Sequence, residues 1–161
     1  MDRRLEDRFE GVFELAGRDG PRAVPIRGIV DRIDLLADGT LRVIDYKASM
    51  PPKPVQLAIY ASTAADRIGR ARGRDWRVGE AAYLIYGAQR GAKPLARKPS
   101  DLPAVLADAQ ARAADAVESI ERGVFPPRPV LLRLCSTCAY AGVCRKDHVA
   151  ATEDPDAAPA V

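Results

Sequence analysis

The period of the hydrophobic positions changes several times along this chain, and each change marks an element. The clearest signal spans residues 28–47, where Gly-Ile-Val-Asp-Arg-Ile-Asp-Leu-Leu and Leu-Arg-Val-Ile-Asp-Tyr-Lys flank a tight turn. Ala37-Asp38-Gly39 fits a three-residue hairpin loop, with Gly39 as its left-handed residue. Residues 9–15 and 23–36 read as strands around the turn signal Gly17-Arg-Asp-Gly-Pro21. Met50-Pro-Pro-Lys-Pro54 cannot continue a strand, because prolines lack the donor and fix φ; a helix from about 55 to 69 follows, launched by Pro54. Residues 80–87 form a further strand, and 89–99 a basic loop. Ser100 is the expected N-cap of a helix through about residue 121, with Leu106, Ala109, Ala113, Val117 and Ile120 at helical spacing and Gly123 ending it.

Closing the hairpin loop on Leu36 and Thr40 sets its register and puts Asp31 opposite Asp45. Paired side chains lie roughly 5 Å apart at Cβ. Two carboxylates that close repel unless a cation lies between them, and oxygen donors suit a hard divalent ion such as Mg²⁺ or Mn²⁺. Lys47 follows Asp45 by two residues and shares its face. Ile29, Ile33, Leu35, Leu41 and Val43 are assigned to the same face, where buried acids need a compensating partner. The alternative is a pair of solvated acids on an exposed hairpin. On the other face Asp34 falls opposite Arg42, a half-exposed ion pair worth at most about 1 kcal/mol. Glu6, Glu10 and Glu14 offer a further metal ligand or, as their setting favours, a solvated edge. Gln56 and Tyr60, four apart, share a helix face, which suits accessory contacts or an ordinary half-buried tyrosine.

At 161 residues and 47% hydrophobic content, the chain has the size and composition of one globular domain. Residues 1–148 are assigned to that domain, and 149–161, rich in Ala, Pro and Asp, to a disordered tail. Net charge is only +3, but the basic residues are mostly arginine. That favours phosphate contact, or reflects a GC-rich genome. Arg67, Arg70, Arg72, Arg74 and Arg77, interleaved with Gly69, Gly73 and Trp76, read equally as a nucleic-acid surface or a solvated loop. No apolar run is long enough to span a membrane, and Met1 is not followed by a signal-peptide core, so a cytoplasmic location is expected. Cys135, Cys138 and Cys144 lie within ten residues and are the only cysteines. In a reducing compartment they point to metal or cluster ligation, one ligand short of a closed tetrahedral site.

Asp31, Asp45-Tyr46-Lys47 and Gln56-Leu-Ala-Ile-Tyr60 together resemble the PD-(D/E)XK nuclease superfamily, and within it the RecB/AddB-like domain of double-strand-break repair helicase–nucleases. That pattern is Gly-x-x-Asp-Arg-x-Asp, a hairpin, Asp-Tyr-Lys, then Gln-Leu-x-x-Tyr on a helix, over roughly residues 25–144. The resemblance implies an α/β fold: a small mixed central sheet flanked by helices, a restriction-endonuclease-like core, with a C-terminal cysteine loop at 135–144. It implies cleavage of DNA with Mg²⁺ (or Mn²⁺) held by Asp31, Asp45 and the Tyr46 carbonyl. Lys47 would position or activate water, with Gln56 and Tyr60 as accessories. Cys135, Cys138 and Cys144 would be three ligands of a [4Fe–4S] cluster whose fourth cysteine lies before the core; zinc is the alternative metal. No earlier cysteine exists here, and the only histidine, His148, follows the cysteines. An N-terminally truncated piece of a larger protein is therefore expected, partnered by a helicase–nuclease subunit or by the missing part. Alternatives are a catalytically silent DNA-binding or structural module of the same fold, and a zinc-stapled interaction domain.

Overall fold

The first two strands extend beyond the apolar runs that predict them, the first well into the charged N-terminus, where Leu5 is the one apolar residue between Asp2 and Arg8. In the computed structural model of the chain, which describes residues 2–17, 19–50, 55–88, 90–124 and 132–144, they form a long antiparallel hairpin. Its strands are β1 (Asp2–Gly17) and β2 (Gly20–Leu35). β1 lies at the sheet edge, where alternating acids and arginines remain solvated on the outer side and discourage pairing with another chain. β3 (Thr40–Lys47) then turns back antiparallel to β2. The turn is as expected: Gly39 sits at φ 81°, and the Asp38 carboxylate accepts the Thr40 N–H and hydroxyl at 3.0 and 2.7 Å.

From β3 the chain crosses over through α1 (Gln56–Arg72) to β4 (Arg77–Ile85), which runs parallel to β3. Residues 51–54, the expected proline stop, lie outside the described residues. β5 (Gly91–Pro94) pairs antiparallel with the outer edge of β4, completing the order β1-β2-β3-β4-β5. The basic loop expected at 89–99 thus contributes a strand. The exposed edge of β4 has backbone groups to satisfy, and Pro94 is tolerated at an outer strand's end. The result is a mixed sheet with helices, as the restriction-endonuclease-like α/β class requires, and β3 lies at its centre.

Leu57, Ala61, Ala64 and Ile68 recur at helical spacing on α1 and are buried against Ile33, Leu41, Val43 and Tyr83 of the sheet. Burying a leucine or isoleucine contributes roughly 1.5–3 kcal/mol, and Leu57→Ala would lose about 2–5 kcal/mol through the cavity it leaves. The second long helix, α2 (Leu102–Glu121), follows a 3-10 turn (Pro99–Asp101). Lys98, not Ser100, occupies the position ahead of that turn, because Pro99 supplies its first residue; the Ser100 hydroxyl donates instead to Asp101 at 3.1 Å. Gln110 of α2 accepts the Ala16 N–H at 3.0 Å and donates to Ser62 at 3.1 Å, tying the helix to β1 and α1. The chain divides into two compact units, Met1–Glu118 and Ser119–Val161. In the second, the described residues hold a 3-10 segment (Leu132–Thr137) and successive turns through Cys144.

The β1–β2 hairpin reverses its alternation at one point. The ladder runs from Gly17↔Gly20 to Asp7↔Val30, skips Glu6 and Asp31, and resumes unchanged at Leu5↔Arg32. Glu6 has φ 48°, a left-handed conformation rare outside glycine. Val24 and Val30 are buried before the break, Ile33 and Leu35 after it, so the buried apolar positions switch from even to odd. Ile29, expected on the face of Asp31 and Ile33, is consequently 44% exposed.

Candidate active site

β2 pairs with β3 only from Leu35↔Leu41 to Arg32↔Ile44. One residue further, the Asp31 side chain takes over from the backbone: its Oδ2 accepts the Tyr46 N–H at 2.8 Å. The break in the hairpin releases Asp31 for this contact, which places its carboxylate beside the Asp45–Lys47 segment. Asp45 lies on the buried face of β3 and is 4% exposed. Lys47 Nζ is 2.8 Å from Asp45 Oδ2. That contact is a close ion pair across a largely buried carboxylate.

Burial pushes the Asp45 carboxyl up; the Lys47 ammonium opposes this, and the Asp31 charge adds to it. Asp45 in turn holds the Lys47 ammonium above its ordinary value against its own desolvation. The Asp31 charge acts on the buried Asp45 carboxyl, and Lys47 sits against it. Such a hard-oxygen set fits a divalent cation.

Gln56 and Tyr60 enter from the first turns of α1, which starts shortly after β3 and returns across the sheet. The Lys47 ammonium lies 3.4 Å from Gln56 Oε1, and Gln56 Nε2 donates to the Tyr60 hydroxyl at 3.2 Å. Lys47, Gln56 and Tyr60 therefore form one chain of contacts. The Tyr60 ring lies against Gly28: a Cβ there would be 2.8 Å from Tyr60 Cε1 and 2.9 Å from its hydroxyl oxygen. Phe9, the cross-strand partner of Gly28, packs edge-on to Tyr60 with ring centroids 5.4 Å apart. A side chain at position 28 would displace the Tyr60 ring as it is placed here.

Nothing in the sequence separates Tyr83 from an ordinary core aromatic, yet it borders the site. It is the β4 partner of Asp45, and burial pushes its phenol up to about 12. It therefore stays neutral beside the carboxylate.

The Asp34 expectation is corrected. Asp34 is fully buried, and its partners are Arg32 at 3.0 and 2.6 Å and Arg3 of β1 at 2.8 Å. Arg42 pairs instead with Glu80 of β4 at 2.6 Å. Arg32 shares the face of Asp34 by the period of two, whereas Arg3 and Glu80 come from β1 and β4, whose positions a single hairpin does not reveal. Four of the five arginines between Arg67 and Arg77 also make contacts within the chain. Arg67 pairs with Asp7, Arg70 with Asp66 at 2.9 Å and Arg72 with Asp2 at 2.8 Å, while Arg74 stacks on buried Trp76 at 4.4 Å.

Cys135, Cys138 and Cys144 are free thiols, joined by turns in which the Cys138 N–H reaches the Cys135 carbonyl at 3.4 Å. Among the described residues, no three His, Cys, Asp or Glu side chains converge to hold a metal. The cysteines as described therefore do not build a cluster cage by themselves. His148 and the tail lie outside the described residues.

The sheet, its crossover helix and the Asp-Tyr-Lys segment define a class. The sequence model of the PD-(D/E)XK nuclease superfamily matches residues 2–145, and the chain belongs to that superfamily. Membership makes it a hydrolase fold acting on nucleic acids. Over 28 residues the chain is also 61% identical to an ATP-dependent helicase/deoxyribonuclease subunit of Streptococcus mutans serotype c. That match covers 17% of this chain and 3% of the streptococcal protein. Among the described residues no helix is long and apolar enough to cross a membrane.

Proposed function

We propose that this chain is a metal-dependent deoxyribonuclease module that works within a helicase–nuclease of double-strand-break repair. The observation that carries the reading is the Asp45–Lys47 pair at 2.8 Å, with the Asp31 carboxylate held on the intervening Tyr46 N–H. Asp31, Asp45 and the Tyr46 carbonyl would hold Mg²⁺ or Mn²⁺. Bound there, the ion lowers the pKa of water and offsets charge on the phosphate.

The chain's own groups then divide the work. Asp45 keeps Lys47 protonated, so its ammonium can face the charge that develops on the phosphoryl oxygens. Gln56 limits the swing of Lys47, and Tyr60 holds Gln56. A catalytically silent module has less support, because Asp45 and Lys47 are both present and in contact. The helicase–nuclease setting follows the family resemblance and the short match to the streptococcal protein. The three cysteines are read as ligands of a [4Fe–4S] cluster completed from outside the described residues, with zinc as the alternative.

The test is cleavage of end-labelled DNA by the full chain in Mg²⁺, in Mn²⁺ and in excess chelator. Products are expected with either ion and none in chelator. Cleavage that persists in chelator would overturn the proposal.

A further inference from the structure

Four of the five arginines in the segment that reads from sequence as a nucleic-acid surface face acids of this chain or Trp76. Two other arginines lie next to the proposed active site. A cleft of about 720 Å³ opens beside Tyr60, lined by Arg8, Phe9 and Glu10 of β1 and by Arg27, Gly28 and Ile29 of β2. Its size is that of a small-ligand cleft, with room for a nucleotide unit and none for a duplex.

We propose that this cleft holds the DNA strand beside the scissile phosphate, as a single strand, with Arg8 and Arg27 on its phosphates. The proposal rests on the nuclease reading and extends it to a strand-binding subsite. Three observations carry it. The cleft adjoins Tyr60, the end of the contact chain that leads through Gln56 to Lys47. Its charge suits a polyanion: the one acid in its lining, Glu10, meets Arg27 only at 3.8 Å, with both side chains at least 75% exposed. So loose a contact is screened by solvent and easily exchanged for a phosphate. Finally, the reversal at Asp31 leaves Ile29, the cross-strand partner of Arg8, exposed beside the cleft, and half-buried Tyr60 supplies an aromatic edge. Basic side chains over apolar and aromatic surface are what sequence-tolerant single-strand binding uses.

Binding of a fluorescent single-stranded oligonucleotide, followed by anisotropy in chelator, separates this from catalysis. The full chain is compared with Arg8→Ala/Arg27→Ala across a salt series. Arg70→Ala, which removes an exposed arginine paired to Asp66, is the control. Each phosphate contact to a single strand adds about 0.7 to the salt slope, so the double variant should flatten it by about 1.4 and weaken binding roughly tenfold or more at low salt. Arg70→Ala should bind as the unsubstituted chain does. An unchanged affinity and slope in the double variant overturns the subsite, as does a chain that binds no oligonucleotide, or an unlabelled blunt duplex that competes as well as a single strand. Hydrolysis of a small phosphodiester, bis(p-nitrophenyl) phosphate, by the unsubstituted chain with Mn²⁺ is read separately. Its absence would count against the nuclease reading, while the binding arm still decides the cleft.

Discussion

Arg32 and Asp34, two residues apart on β2, close a two-point ion pair in which both carboxylate oxygens are engaged, at 3.0 and 2.6 Å. Arg3 adds a third contact from β1 at 2.8 Å. The Arg32 side chain is only 20% exposed, so removing its partner strands a largely desolvated charge. Asp34→Ala should therefore destabilise the chain by about 2–4 kcal/mol, somewhat less than a fully buried pair would lose. Chemical denaturation measures it. A loss under about 0.5 kcal/mol would mean that the pair contributes no more than an ordinary surface one.

Acid should weaken the same pair. Arg32 holds the Asp34 carboxyl below the ordinary carboxylate range; burial opposes this, and Arg3 assists. Unfolded, Asp34 titrates near ~3.9. Its contribution is thus fully present above about pH 4 and is lost as pH falls through the lower folded value. The melting-temperature gap between the chain and Asp34→Asn should be constant near neutrality and should narrow below about pH 4. A gap unchanged down to pH 3 would contradict this.

Gly28→Ala should disturb the site through Tyr60, leaving Asp31, Asp45 and Lys47 untouched. The new methyl would overlap the Tyr60 ring, moving the hydroxyl that receives the Gln56 contact. Overpacking of this kind costs about 1–3 kcal/mol. In a double-mutant cycle most of that cost should vanish when residue 60 is alanine. An equal cost in both backgrounds would place the strain elsewhere.

The hairpin was legible because a loop of fixed length and a period of two leave one register, and Ile33↔Val43 and Leu35↔Leu41 pair as that register requires. Its continuation to Asp31 was not fully legible. The break opposite Glu6 arises in a charged strand, where no apolar alternation betrays a reversal. Asp34 misled for a related reason. The period of two puts Arg32 beside Asp34 and the turn puts Arg42 across from it; the choice between them rests on Arg3 and on the Glu80 that takes Arg42, on strands whose position only the sheet order fixes. The Lys47–Gln56–Tyr60 chain was foreshadowed by helix spacing, whereas the close approach of the Tyr60 ring to Gly28 emerges only once α1 is laid across the sheet.

The cysteine loop makes its own demand. Cys138 is exposed, and Cys135 and Cys144 are half-buried; among the described residues no three ligand side chains converge. The chain should purify with substoichiometric iron and its thiols open to a thiol reagent, since three thiolates hold a cluster poorly. Metal analysis with thiol titration checks this. Stoichiometric zinc with protected thiols would favour a zinc-stapled loop.

The central claim is that Asp45 serves the metal while Lys47 serves the reacting phosphate. Mn²⁺ binding by electron paramagnetic resonance, measured alongside DNA cleavage on the folded Asp45→Ala and Lys47→Ala variants, tests it most directly. Asp45→Ala should lose both binding and cleavage. Lys47→Ala should bind Mn²⁺ nearly as the unsubstituted chain does, yet cleave about 10²–10³-fold more slowly, the scale of losing one charge-stabilising group. Undiminished cleavage by Lys47→Ala, or unaltered Mn²⁺ binding by Asp45→Ala, would contradict the account.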